Sequence, residues 1–128
     1  LPPMPADHKL LTRGTLGELD LRILLEQFIS QEEARALAPE WRAGAYAVSE
    51  SRRDGQPALR WTLAMASEDS ARRVLEHWRR MLEKKAGECT FTARTDTLAE
   101  GTNADGAFRL ERRGAALSAA EGLLPIPR

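Results

Sequence analysis

Few residues of this chain have types that could do chemistry. His8 and His77 are the only histidines, and Cys89 is the only cysteine. Zinc requires several ligands converging on one point, and the chain holds neither a Cys-x-x-Cys nor a His-Glu-x-x-His spacing. His8 falls in a proline-bearing leading segment, and His77 falls beside Arg73 and Arg80 on the polar side of a helical pattern. Both are expected as solvated surface histidines. A reactive thiol needs a basic neighbour or a helix N-terminus to lower its pKa. Cys89 instead shares an alternating face with Phe91 and Ala93, as a small core filler does. The Gly-x-Ser-x-Gly, Gly-x-x-x-x-Gly-Lys and Gly-x-Gly-x-x-Gly signatures are missing. Asp96, Glu100, Asn103 and Asp105 make an oxygen-rich stretch, but a calcium loop wants ligands on alternate residues and a closing bidentate Glu. A solvated loop with an Asp105-Gly106 turn is expected there. No catalytic, cofactor-binding or metal-ligating residue is assigned, no cofactor is expected, and the chain is read as not an enzyme.

Contact chemistry is the remaining possibility. Arg-Arg pairs occur at Arg52, Arg72, Arg79 and Arg112. On a helix Arg72 and Arg79 align at i+7 and could form an anion-binding or partner face. Glu68, Asp69, Glu76 and Glu83 sit within helical reach of them, so a solvent face laced with ion pairs is the plainer reading. Trp61 and Trp78 fall on apolar faces and read as core. Trp41 has no periodic face to assign it, and with Tyr46 beside it could anchor a ligand or partner. The candidate contact residues are therefore Trp41, Tyr46, Arg72 and Arg79. The polar side chains as a whole are not expected to converge.

Bulk properties narrow the class. A chain of 128 residues forms one domain large enough to fold without disulfides or metals. Lys and Arg together number 19, as do Asp and Glu, so the formal net charge is zero. Nucleic-acid binding draws on a basic excess that is missing here, and nucleic acid is not expected as a partner. No apolar run approaches the roughly 18 residues that span a bilayer, so no membrane insertion is expected.

Elements that must position these residues follow from periodicity. Residues 1–13 carry three prolines and no period, and read as an arm or linker. Thr15-x-x-Glu18 has the form of a capping box, opening a helix with Leu21, Leu24, Leu25 and Phe28 on one face, widened by Ile23 and Ile29. Ser30-x-x-Glu33 repeats the pattern before a short helix that Pro39 ends. Residues 44–50 and 58–66 alternate around an Asp54-Gly55 turn, with Leu59, Trp61, Leu63 and Met65 on one face of the second strand. Ser67 caps a long helix with Ala71, Val74, Leu75, Trp78, Met81 and Leu82 at helical spacing, and Gly87 is placed to close it. A strand around Cys89 and Phe91, a polar loop over residues 96–106, and a hairpin turned at Arg113-Gly114 complete the pattern. The expected fold is α+β: a mainly antiparallel sheet of about five strands with helices packed on one face, in the order α-α-β-β-α-β-β-β. Residues 14–124 make the single domain, and residues 125–128 a tail.

The succession Leu16-Gly17-Glu18-Leu19, Trp41 to Tyr46, Ala58-Leu59-Arg60-Trp61-Thr62, Ser67-Glu68-Asp69-Ser70-Ala71 and Glu121-Gly122-Leu123 resembles the C-terminal segment of a group of exported bacterial and archaeal proteins. The resemblance covers residues 14–124 in short pieces of low specificity. It departs at Arg42-Ala43-Gly44-Ala45, where Gly-Gly-Asp-Arg is usual. Larger members look like zinc metallopeptidases upstream of this segment. No catalytic residue of that half has a counterpart here. The resemblance implies a non-catalytic accessory or interaction domain of a larger exported protein, located outside the cytoplasm, with the parent polypeptide or another protein as partner. The alternative is a free-standing domain that binds a small ligand between sheet and helices.

Overall fold

The structure, a computed structural model of the chain, describes residues 1–85 and 89–123. Ten main elements follow in the order β1 His8–Thr15, α1 Glu18–Phe28, α2 Gln31–Leu37, β2 Trp41–Ser51, β3 Pro57–Met65, α3 Glu68–Lys85, β4 Cys89–Arg94, β5 Leu98–Asn103, β6 Gly106–Arg113 and β7 Ala116–Leu123. The seven strands form one sheet in the order β1-β2-β3-β7-β6-β5-β4, with every neighbouring pair antiparallel. From β3 the chain runs through α3 to the far edge, then returns strand by strand until β7 closes against β3.

This corrects the expected five-stranded order, although the mixed α+β character and the antiparallel sheet stand. Two strands were not foreseen. Residues 8–13, expected in an arm, form the edge strand β1 together with Gly14 and Thr15, paired with β2 from His8–Ser51 to Thr15–Ala45. An edge strand exposed on both faces needs no apolar alternation, and only His8 of β1 is buried. Residues 98–103, expected in a polar loop, form β5. Gly101 permits it: a Cβ there would lie 2.1 Å from the Thr90 carbonyl oxygen of β4.

Local chemistry sets the helix starts. Thr15 is held extended in β1, so the Thr15 capping box does not form. Gly17 is the N-cap instead, and Asp20 accepts its N–H at 2.8 Å. Ser30 caps α2 by accepting the Glu33 N–H at 3.1 Å. Past α2, Pro39 sits in a 3-10 turn, Ala38–Glu40, that delivers the chain to β2. Ser67 and Ser70 cap α3 reciprocally, each side chain accepting the other's N–H. Gly55 and Gly114 take positive φ at the β2–β3 and β6–β7 turns. Gly87 and residues 124–128 lie outside the described residues, and Gly122 belongs to β7.

One core joins the layers. Leu21, Leu25, Ala34 and Leu37 from α1 and α2, and Val74, Leu75, Trp78 and Met81 from α3, pack on Trp61, Leu63, Phe108, Leu110 and Leu117 of the sheet. Trp61 and Trp78 are 1% and 6% exposed, as the alternation of β3 and the helical spacing of α3 require. Among the described residues no helix is long and apolar enough to cross a membrane.

Candidate functional site

Tyr46 and Trp41 both stand on β2, beside the edge strand β1. Tyr46 stands on β2, opposite Gly14 of β1. Its ring lies so close that a Cβ on Gly14 would meet it at 3.0 Å. The absence of that side chain lets the phenol ring cover β1. Trp41 acts one step back. Its indole Nε1–H donates to the Leu16 carbonyl at 2.9 Å, while the Leu16 N–H donates to the Gly44 carbonyl at 3.0 Å. Gly44 makes this approach possible, since a Cβ there would fall 2.5 Å from the Leu16 carbonyl oxygen. The β1–α1 connection is thereby pinned to β2.

The result is a groove of about 410 Å³ between α1 and the sheet, lined by Thr15, Leu16, Asp20, Ile23, Leu24 and Tyr46. Ile23, expected to widen the buried face of α1, is 50% exposed on the groove's wall, and Leu19 nearby is 65% exposed. Leu10 and Leu11 are exposed on the neighbouring strand β1, whose outer edge pairs with no strand among the described residues. The polar groups are sparse: the Asp20 carboxylate is already committed to the Gly17 N–H. Such a surface suits apolar contact and main-chain pairing more than bond-breaking chemistry.

Arg72 and Arg79 are not brought to this groove. Arg72 pairs with Asp69 on its own helix and faces Arg112 and Asp96 across a separate cavity of about 300 Å³. Arg79 donates to the Thr95 carbonyl at 3.1 Å, tying α3 to the β4–β5 turn. Both arginines therefore serve the β4–β5–β6 half of the sheet, away from Trp41 and Tyr46 on β2.

The two histidines overturn the surface reading. His8 is 6% exposed, its Nδ1 3.0 Å from Ser49 Oγ. His77 is 8% exposed, with Nε2 at 2.7 Å from Glu33 Oε2. Arg73 Nη2 donates to both oxygens of the same carboxylate at 2.9 Å. The hydrogen bond from His77, with help from Arg73, holds the Glu33 carboxyl below its ordinary range against the opposing effect of burial. Polar side chains thus do converge, joining α2 to α3 across 44 residues of sequence. A sequence signal existed: Arg73 and His77 are spaced i,i+4 and so share a helix face. What that face meets is not written locally.

The remaining candidates fall as follows. Cys89 is half-buried against the core, and burial, then the Glu83 carboxylate, pushes its thiol up, away from the thiolate form. Glu100 and Asn103 lie in β5 instead of a loop; Glu100 pairs with Arg109, and Asn103 Oδ1 accepts the Asp105 N–H at 2.9 Å. Among the described residues no three His, Cys, Asp or Glu side chains are grouped to hold a metal ion.

Fold and groove together define an α+β domain built on a seven-stranded antiparallel sheet with an apolar recess at one edge. The chain belongs to the family described as Domain of unknown function (DUF8575), whose family model matches residues 8–124. No curated protein and no solved structure matches the chain.

Proposed function

We propose that this domain is a non-catalytic accessory module that docks another polypeptide in the groove between α1 and the β1–β2 edge. The observation that carries the reading is the apolar surface left there: Leu19 and Ile23 stand 65% and 50% exposed beside a recess floored by Tyr46. Scattered exposed leucines are ordinary, but a group of them bordering a groove and an open strand edge is what β-augmentation uses. An extended partner segment would gain main-chain hydrogen bonds from β1 and place an apolar side chain against Ile23 and Tyr46.

The partner in this reading is the parent polypeptide of a larger exported protein. The resemblance to C-terminal segments that follow a metallopeptidase-like half supports that placement. Hydrogen exchange of the full gene product, compared with residues 1–128 alone, tests it. Slower exchange of the β1 amides in the longer chain, abolished by Ile23→Asp, is the expected result. Equal exchange in both forms, or a gene encoding nothing beyond these residues, would defeat it. A second reading, a small ligand held between sheet and helix, is favoured by the groove's volume of about 410 Å³, which exceeds the roughly 300 Å³ at which ligand pockets begin. An apolar probe that gives saturable shifts at Tyr46 in the free domain would favour this reading over docking.

A further inference from the structure

The sheet face turned away from the helices is covered in part by the chain's own leading segment. Trp61 and Leu63 of β3 and Leu117 and Ala119 of β7 belong to the core, so alternation turns Thr62 and Ser118 to the other side. Three contacts hold the leading segment in place. Arg60 Nη1 donates to the Pro2 carbonyl at 2.9 Å, the Arg52 N–H donates to the Asp7 carbonyl at 2.7 Å, and Arg53 pairs with Asp7 at 3.1 Å. Segment and sheet together line a cavity of about 820 Å³. That volume falls within the roughly 300–1,000 Å³ of small-molecule sites. It shares no residue with the groove beside α1.

The lining is apolar with two polar groups at its floor. Residues 1–5 make one wall, in which Leu1 and Met4 are 53% and 42% exposed and the three prolines offer no N–H. Thr62 and Ser118 line the opposite side, directly across from each other in the β3–β7 register. Cross-strand partners stand with Cβ atoms about 5 Å apart, so one ligand oxygen can reach both hydroxyls. Neither hydroxyl is hydrogen-bonded to another group among the described residues. Charge at the border is balanced. Arg109 pairs with Glu100 and, at 3.7 Å, with Glu111, and Arg113 pairs with Glu111 at 3.0 Å. Two guanidiniums and two carboxylates therefore leave no charge there for a ligand to neutralise.

We infer that this cavity binds an uncharged amphipathic molecule, a hydrocarbon chain bearing a hydroxyl. The ligand hydroxyl lies between Thr62 and Ser118, whose own hydroxyls can each donate to it or accept from it. The hydrocarbon lies against Leu1, Met4 and the prolines and takes their exposed apolar surface out of water. A charged head group would give up its hydration and find no unbalanced partner in return.

The test is calorimetric titration of the full chain with 1-octanol, octanoate and octyltrimethylammonium. The chain is acetylated at Leu1, so that no terminal ammonium enters the comparison. Saturable one-to-one binding of octanol is expected, with both ions weaker by about 10-fold or more. Thr62→Val combined with Ser118→Ala should weaken octanol by about 5-fold or more through the lost hydrogen bonds, whereas Thr102→Val should change nothing. No saturable octanol binding, either ion binding as tightly, or undiminished affinity in the double variant would overturn the assignment. Should the double variant fail to fold, backbone NMR of the unsubstituted chain decides. Octanol must then shift Met4, Thr62 and Ser118, and shifts that leave these residues unmoved would refute the site.

Discussion

The indole rings of Trp61 and Trp78 lie 4.3 Å apart, tilted by 42°, and both N–H groups donate to one oxygen of Glu121, at 2.8 and 3.2 Å. A central strand, the long helix and the last strand meet at this carboxylate. Trp78→Ala removes a ring that is 6% exposed and should cost about 3–5 kcal/mol in urea unfolding. A loss below about 1 kcal/mol would refute its place in the core. Glu121→Leu should also destabilise, by about 1–3 kcal/mol, because two largely buried donors lose their acceptor.

The Glu33 carboxyl, depressed by His77 and Arg73, gives a defined acid limb. A group whose folded pKa lies below its unfolded value contributes stability above the unfolded value, here about 4.5, and loses it as pH falls through the folded one. The melting temperature of the unsubstituted chain should therefore exceed that of Glu33→Gln at pH 6, and the gap should narrow below about pH 4.5. A gap that stays constant from pH 6 to pH 3 would show that the ionised carboxylate is not what joins α2 to α3.

Gly101→Ala tests why β5 exists. The added methyl would stand 2.1 Å from a backbone oxygen that cannot swing aside. Forced overpacking of this kind costs about 1–3 kcal/mol. Loss of amide protection across the β4–β5 pair should accompany it, and unaltered exchange there would contradict the observed register.

Ile23→Asp and Leu19→Asp separate docking from folding. Both side chains are at least half exposed, so each change should alter stability by less than about 0.5 kcal/mol. Partner protection of β1 should nonetheless disappear. If either substitution unfolds the domain, the groove is an extension of the core and not a free surface.

Ser30→Ala should cost about 1 kcal/mol through the lost cap on α2, read from the unfolding midpoint. The same substitution at Thr15 should leave α1 intact, because Gly17 and Asp20 make that helix start.

Periodicity carried the elements that bury one face. The i, i+3, i+4 spacing from Ala71 to Leu82 and the alternation of Trp61, Leu63 and Met65 each require a single solution, since any other conformation strands those side chains in water. Ser30, Ser67, Gly55 and Gly114 marked their boundaries by chemistry that acts within four residues. Tyr46 was legible as an unassigned aromatic, but the groove around it was not. Its walls come from Thr15, Leu16 and Ile23, which only the β1–β2 pairing and the Trp41–Leu16 hydrogen bond assemble.

What tertiary structure alone decided lies in contacts between distant elements. β1 has almost no buried face, so nothing in its own residues announces a strand; β2 supplies the reason for it. Polar spacing on α3 predicted a solvated histidine, and Glu33, brought by α2, made His77 a buried one. Arg60 alternates outward from the core like any surface residue, and the leading segment folding across it is what removes it from water. Hydrophobic period reports which side of an element faces inward, and says nothing about what later covers the other side.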